Sequence, residues 1–277
     1  MMLSFSIGER RYAANTDSAI DISIPLDFQR EQPGAFHLPR AAARPIDTPS
    51  FVADVSRGSG FNCMTLTMTP HGNGTHTECI GHISAESYSV ATLVRPALVP
   101  ALLLSVTPTP ARMAGEEEHF PSAQDLVIGA PLLTAALKAL GGIPDEFYRA
   151  LIIRTLPNSA AKLSMNYSGT NPPYFSRAAM RLIRQLGTEH LLCDLPSVDR
   201  ESDGGALAAH RIFWGTALDR CAKVTPSHHT ITELIYVDAA VRDGPYLLDL
   251  QLPQFLLEAV PSRPVLFPVS PLRGADV

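Results

Sequence analysis

The 277-residue chain lacks a surplus of basic residues, with 22 lysines and arginines against 27 aspartates and glutamates and a net charge of −5. Nucleic-acid-binding proteins usually carry a basic surplus, so we expect no nucleic-acid partner. Long apolar runs are also missing. The longest, 97–104, contains Pro100 and is far shorter than the roughly 20 residues of a membrane span. The first 18 residues have no apolar segment or cleavage site of a signal peptide, so we expect no membrane association and a cytoplasmic location.

Cysteines are few and scattered, at positions 63, 79, 193 and 221, and no C-x-x-C pair occurs. This spacing predicts reduced thiols rather than a disulfide framework. Several catalytic motifs are absent from the sequence as well: G-x-S-x-G, G-x-x-x-x-G-K-[ST], a complete G-x-G-x-x-G and H-E-x-x-H. Their absence disfavours a lipase-like serine hydrolase, a P-loop nucleotide site, a dinucleotide site and a zincin-type protease.

Short strands outnumber helices in the pattern of apolar residues, and 24 prolines indicate many rigid loops. Residues 1–60 are expected to be a mostly loop-like N-terminal arm with one strand at 19–26, and 62–69 a half-buried strand. Helical spacing predicts helices at 130–140 and 177–186, the second capped by Ser176. Further strands are predicted at 98–106, 149–156, 191–194, 230–237 and 265–269. The interleaving favours a mixed α/β fold and a single domain over 1–277.

Residues 71–82 read HGNGTHTECIGH and hold three of the nine histidines with one glutamate, directly after a predicted strand. Imidazole and carboxylate groups suit Zn²⁺, Mn²⁺ or Fe²⁺. In an extended segment His76 and Glu78 project to the same side, whereas a helix would point them apart. A single histidine is more often a surface or hydrogen-bonded residue, but the density of this cluster favours a metal site.

Two further candidate ligands lie downstream. His210 follows an acidic, glycine-rich loop, and Glu233 interrupts an apolar, β-branched strand within TITELIYV. Considered alone, Glu233 is equally well explained as a solvent-facing strand residue, and His210 as a residue without a metal role. Only together with the 71–82 cluster do they indicate a shared site.

These motifs resemble the cyclase family of metal-dependent hydrolases, which includes bacterial kynurenine formamidase and isatin hydrolase. The family signature H-x-G-T-H-x-D-x-P-x-H is similar to 74–82 of this chain. Weaker similarities lie at 21–26 (DISIPL), 194–199 (DLPSVD), 209–210 and 232–234. The resemblance implies a swivelling β/β/α fold and a homodimer or homotetramer that acts on a small-molecule substrate. It also implies one or two divalent ions, Zn or Mn.

Carried over by position, the resemblance makes His76, Glu78, His210 and Glu233 metal ligands and His82 the catalytic acid/base. His71 would be the first ligand, but it precedes His76 by five residues where the family has four, with Asn73 the apparent extra residue. Either the glycine-rich loop bulges so that His71 still reaches the metal, or one ligand is lost. In that second case His228 or His229 could substitute.

Other departures from the family pattern bear on the substrate. Glu78 replaces the family's aspartate, and Ile80 and Gly81 occupy the region of its proline. The resemblance implies hydrolysis of an amide, an aryl formamide such as N-formylkynurenine, or a cyclic amide or lactone. Two alternatives stay open: a metal-containing protein without turnover, and a metal-free protein that binds a small ligand.

Overall fold

One mixed β-sheet of eleven strands organises the chain. The computed structural model describes residues 1–94, 98–116, 120–218 and 224–272. Among these residues the strands are β1 (Met2–Ile7), β2 (Arg10–Asn15), β3 (Ile20–Asp21), β4 (Ala42–Pro45), β5 (Met64–Thr67), β6 (His76–Glu78), β7 (Leu98–Val106), β8 (Thr109–Pro110), β9 (Leu126–Ile128), β10 (Ala150–Thr155), β11 (Tyr174–Phe175), β12 (His190–Cys193), β13 (Thr230–Glu233), β14 (Gly244–Gln251), β15 (Ala259–Pro261) and β16 (Arg263–Pro271). The α-helices are α1 (Val90–Leu93), α2 (Ala130–Leu140), α3 (Arg177–Gln185) and α4 (Ala208–Phe213).

The strand order of the main sheet is β1-β2-β16-β14-β7-β10-β12-β13-β6-β15, with β3 paired to β16. Its centre is parallel, because β7, β10, β12 and β13 all run in one direction. The flanking strands β14 and β6 join this centre antiparallel. Strands β7, β10 and β12 are rich in Leu, Ile or Val, which suits parallel strands covered on both faces, whereas β13 (TITE) has a single Ile.

Alternate residues of the central strands enter different cores. Leu102 and Leu104 of β7 face a cluster that includes Met180 of α3 and Phe213 of α4. Leu103, between them, packs into the opposite cluster with the C-terminal strands. The two-residue period of a strand therefore divides one apolar segment between two layers. The predicted mixed α/β class and the excess of strands over helices are confirmed.

Both predicted long helices are present, and α2 spans the predicted residues. Ser176 caps α3 as predicted, since its hydroxyl accepts a hydrogen bond from the Ala179 N–H at 3.0 Å. Gly187 follows the helix with a φ of 78°, a left-handed conformation that glycine adopts without steric cost.

Two local predictions are wrong. Residues 2–15 form the β1–β2 hairpin rather than loop, because Leu3, Phe5 and Ile7 alternate with polar residues and turn inward. The strand predicted at 62–69 exists as β5, but it is exposed rather than half-buried. It pairs with β4 in a separate two-stranded sheet, and the side chains of Met64 and Leu66 are 51% and 58% exposed.

The cysteines of the described residues are free, with Cys79 and Cys193 buried and Cys63 exposed. Cys221 lies outside the described residues. Within the part of the chain that the structure describes, no helix is long and apolar enough to cross a membrane.

Candidate metal centre

Strand register brings the first candidate ligands together. β6 pairs antiparallel with β13 so that His76 lies opposite Glu233, and Nε2 of His76 is 3.4 Å from Oε2 of Glu233. His76 and Glu78 lie on the same face of β6, as their spacing predicts. Thr77 points to the other face and shares a 2.7 Å hydrogen bond with Thr232 of β13.

Glu78 is the centre of the cluster. Its Oε1 lies 2.8 Å from Nε2 of His210, and its Oε2 lies 3.3 Å from Nδ1 of His71 and 3.8 Å from Nδ1 of His82. Nε2 of His210 is also 3.7 Å from Oε1 of Glu233. The structure therefore brings together all six residues that the sequence suggested for the site.

Exposure is graded across this cluster. The side chains of His76, Glu78 and His210 are at most 2% exposed, whereas those of His71 and His82 are 19% and 26% exposed. The first three residues form the floor of the site. The two exposed imidazoles form its rim, and their ring centroids lie 4.3 Å apart.

Four buried atoms at the floor have no hydrogen-bond partner among the described residues: Nε2 of His76, both carboxylate oxygens of Glu78 and Nε2 of His210. The close approach of Glu78 and His210 does not have hydrogen-bond geometry. Unpartnered buried polar atoms are costly, so four of them on Glu78 and its two buried histidine neighbours call for a further group. Two sets of side chains could hold an ion, namely His71, His76 and Glu78, and Glu78, His82 and His210.

The carboxylates and imidazoles of the cluster shift one another's pKa values. Burial opposes ionisation of Glu78, but the surrounding histidines, His210 among them, outweigh it and hold the carboxyl pKa well below its ordinary value. Burial likewise opposes protonation of His210, yet Glu78 and Asp199 raise its pKa well above the usual range. For His71, too, Glu78 outweighs burial and raises the pKa. A nitrogen must be unprotonated to bind a metal, so a divalent ion would compete with protons for these sites.

His82 differs from its neighbours because burial dominates. Burial lowers the pKa of His82 to about 4, although Glu78 acts in the opposite direction. The ring is therefore neutral at neutral pH. A neutral imidazole at the rim of the site has a nitrogen lone pair that can accept a proton.

The extra residue before His76 does not remove His71 from the site. Residues Pro70–Gly72 form a single 3₁₀ turn, and Asn73 is buried behind it, bonded to the Thr69 N–H at 2.7 Å and the Pro39 carbonyl at 2.9 Å. His71 projects from this turn against the ring of His76 at a centroid distance of 5.1 Å. The turn bulges, and His71 stays within the cluster beside His76 and Glu78.

The structure adds one residue to which the sequence assigned no role. Asp199 accepts hydrogen bonds from the backbone N–H groups of Ala209 and His210, at 2.8 and 3.1 Å, and lies 2.6 Å from Nδ1 of His210. It thereby fixes both the start of α4 and the orientation of the His210 ring, whose Nε2 faces Glu78. The sequence feature that could have pointed to Asp199 is its place at the end of the DLPSVD segment, ahead of His210.

His228 and His229 do not substitute for a ligand. His228 lies 3.6 Å from Glu189, and His229 packs against Phe213 at a centroid distance of 5.9 Å. Neither belongs to a candidate metal group among the described residues. Trp214 is buried beside His210 at a ring-centroid distance of 5.4 Å, whereas Phe61 is 55% exposed.

Solved structures share this fold across most of the chain. A structure described as a potential metal-dependent hydrolase with cyclase activity has a TM-score of 0.56 and 13% identity, covering 90% of this chain and 96% of its own. Isatin hydrolase A from Labrenzia aggregata has a TM-score of 0.58 and 14% identity, covering 90% and 93%. Isatin hydrolase A from Ralstonia solanacearum has a TM-score of 0.58 and 15% identity, covering 90% and 91%. At these identities the likeness shows the fold alone.

No curated protein matches the chain significantly. The family model described as "Putative cyclase" matches residues 20–200. The match includes the 71–82 cluster and Asp199, while His210 and Glu233 lie beyond it. Because it covers more than half of the sequence, the chain belongs to this cyclase family.

Proposed function

We propose that this protein is a metal-dependent hydrolase that cleaves an amide, an aryl formamide, or a cyclic amide or lactone. The observation that carries the proposal is the convergence of unpartnered atoms of His76, Glu78 and His210 at the buried floor of the site. Nitrogen and carboxylate ligands around an internal point are the donor set that Zn²⁺ and Mn²⁺ accept. Packing requirements alone do not account for four such atoms in one place.

His71, His76 and Glu78 would hold one ion, and Glu78, His210 and Glu233 a second, with the Glu78 carboxylate able to contact both. Divalent ions bound there would act as Lewis acids toward the substrate carbonyl and lower the pKa of water toward 7. Val198 donates its N–H to Oε1 of Glu233 at 2.9 Å, which holds that carboxylate in place. Either one or two ions per chain would satisfy this donor set.

His82 is the proposed acid/base residue. Its Nδ1 faces Glu78, so Nε2 is the nitrogen left to exchange a proton with the reactants. The neutral ring accepts a proton from the attacking water and returns it to the leaving nitrogen or oxygen as the scissile bond breaks. His82 also belongs to a group that could hold a metal. The greater exposure of its side chain, 26% against at most 2% for His76 and His210, supports the acid/base role.

The proposal also names the substrate classes to be tested. Two structurally similar proteins are isatin hydrolases, which supports testing cyclic amides beside formamides and lactones. The arm around Phe36 and His37 packs behind the Pro70–Gly72 turn, with Leu38 against Gly72 and the Pro39 carbonyl accepting a hydrogen bond from Asn73. A cleft of about 600 Å³ lies there, lined partly by His37, Arg40 and Asn73.

We further propose that the protein is cytoplasmic and forms a homodimer or homotetramer. Exposed apolar side chains on and beside the β4–β5 sheet support an assembly, namely Phe51, Val55, Phe61, Met64 and Leu66. Light scattering coupled to size-exclusion chromatography tests the oligomer. A monomer at micromolar concentration would contradict it.

The decisive experiment measures metal per chain by elemental analysis, on protein purified without a metal-affinity column. We expect about one or two equivalents of zinc or manganese, lost together with activity in His76→Ala. The matched control is His37→Ala, which removes an exposed histidine of the arm. Activity is screened on formamides, cyclic amides including isatin, and lactones.

Failure to bind any divalent ion after supplementation would contradict the proposal and favour a metal-free ligand-binding protein. Bound metal without turnover of any substrate class would favour a metal-containing binding protein. Such a site is expected to have every coordination position closed by protein, whereas a catalytic site keeps one open.

A further inference from the structure

Each of the three imidazoles proposed as metal ligands, those of His71, His76 and His210, has one nitrogen facing a carboxylate of the site and the other bonded to an oxygen. His76 turns Nε2 to Glu233 and bonds through Nδ1 to the Gly74 carbonyl at 3.0 Å. His210 turns Nε2 to Glu78 and bonds through Nδ1 to Asp199. Such outer contacts fix the tautomer and the ring orientation of metal-binding histidines.

His71 is reversed. Its Nδ1 faces Glu78 at 3.3 Å, and its Nε2 hydrogen-bonds to Oε1 of Glu258 at 3.3 Å. Nδ1 lies one bond closer to the backbone than Nε2, so this ring presents its nearer nitrogen. His71 is also the residue displaced by the extra Asn73, and the reversal gives it a way to reach the same centre from a different backbone position.

Glu258 is held beside the site by backbone pairing. β15 pairs antiparallel with β6, with Ala259 opposite Glu78, and the Glu258 carbonyl accepts the Cys79 N–H at 2.9 Å. The Glu258 side chain is 41% exposed, while its partner His71 is 19% exposed. A carboxylate at the rim is therefore placed against the outer nitrogen of His71 by the same sheet that places Glu78.

We infer that Glu258 is a positioning residue that holds the Nε2–H tautomer of His71, so that the displaced histidine binds the metal through Nδ1. The inference rests on the proposed metal site. Glu258 is not itself a ligand, because its contact is with the nitrogen that faces away from Glu78. No feature near Glu258 in the sequence indicates this role, since only the β6–β15 pairing brings it to His71.

The test is metal affinity, measured by competition between the full-length, metal-depleted protein and a chromophoric chelator for Zn²⁺ and Co²⁺. We expect Glu258→Ala to weaken binding about 10–100-fold, as loss of an outer partner typically does. Glu258→Gln retains an oxygen that can accept the Nε2–H and should restore most of the affinity. Glu9→Ala, which removes an exposed carboxylate in the β1–β2 turn, is the matched control and should bind like the wild type.

A double-mutant cycle separates positioning from a general structural effect. In the His71→Ala background, Glu258→Ala should cause no further loss, because its only proposed route to the metal is gone. Equal additional loss in that background would overturn the inference, as would unchanged affinity in Glu258→Ala. If the wild type itself binds neither ion, the proposed function fails before the inference is reached.

The tautomer is tested directly by ¹⁵N–¹H correlation spectra of the zinc-loaded, ¹⁵N-histidine-labelled protein, with His71 assigned by its absence in His71→Ala. We expect a protonated Nε2 and an unprotonated Nδ1 for this ring. A protonated Nδ1 would overturn the inference. Circular dichroism of Glu258→Ala in chelator should match the wild type, because the replaced side chain lies at the surface.

Discussion

Oε1 of Glu78 lies 2.8 Å from Nε2 of His210, and the same glutamate also faces His71 and His82. β6 carries Glu78, and α4 carries His210. The two elements meet because β6 pairs beside β13 and Asp199 fixes the start of α4. Glu78 is thus the carboxylate that both candidate metal-binding groups share.

Glu78→Gln should abolish metal binding and hydrolysis together. The amide has nearly the same volume but no negative charge, so it removes the shared ligand and the charge that faces His71, His82 and His210. Elemental analysis and a turnover assay measure the two losses. Glu189→Gln, at a half-buried glutamate that pairs with Arg149 away from the site, is the control. Full metal occupancy in Glu78→Gln would contradict the central role of this carboxylate.

His82→Ala should keep its metal and lose turnover by about 10²–10⁴-fold, the usual contribution of a general acid/base group. Metal content and turnover are measured on the same preparation, with His37→Ala as the control. Loss of one equivalent of metal would instead identify His82 as a ligand. Turnover equal to that of the wild type would exclude both roles.

Asp199→Asn should weaken metal binding by about 10–100-fold, because the amide cannot accept all the N–H groups that now meet the carboxylate. His210 then loses the contact that directs its Nε2 toward Glu78. Asp203→Asn is the matched control, since Asp203 bonds the same loop at Gly205 and Leu207 without touching His210. Chelator competition measures the affinities, and equal losses in the two variants would assign Asp199 a structural role only.

Metal addition should raise the melting temperature of the metal-depleted protein. An ion present at 100 times its Kd contributes about 2.7 kcal/mol, which corresponds to roughly 5–10 °C for a domain of this size. Differential scanning calorimetry with and without Zn²⁺ or Mn²⁺ measures the shift. His76→Ala should show no shift, and an equal shift in that variant would mean that the stabilising ion binds elsewhere.

His190 should make stability depend on pH outside the site. Burial lowers the pKa of His190 to about 4, while the unfolded residue titrates near 6.5. Between these values the unfolded chain binds more protons, so stability is complete above pH 6.5 and falls as the pH drops toward 4.

Urea unfolding in chelator at pH 7 and pH 5 measures this effect. The loss between the two pH values should be about 2 kcal/mol smaller in His190→Gln than in the wild type. His37→Gln, at an exposed position, should keep the wild-type difference. Equal pH dependence in wild type and His190→Gln would show that His190 is not the group responsible.

Local patterns predicted most of the regular structure. The helices at 130–140 and 177–186, the Ser176 cap and the central strands follow from apolar periodicity and capping chemistry, which act over a few residues. The hairpin at 2–15 shows the same period of two in β1, but β2 (RRYAAN) does not alternate, so its pattern does not predict a strand. The exposure of β5 had no local signal, because burial depends on which layer covers a strand.

The sequence alone predicts the chemistry of the proposed ligands: a dense group of imidazoles and a carboxylate, with His76 and Glu78 two residues apart on one face of a strand. The sequence leaves open whether His71 belongs to that group. The 3₁₀ turn at Pro70–Gly72, with Asn73 buried behind it, places His71 there. Only strand pairing placed Glu233 opposite His76 and Glu258 beside His71, and only the Asp199 contact oriented His210. Spacing along the chain determines which neighbours share a face, whereas contacts between distant segments depend on how the whole sheet closes around its core.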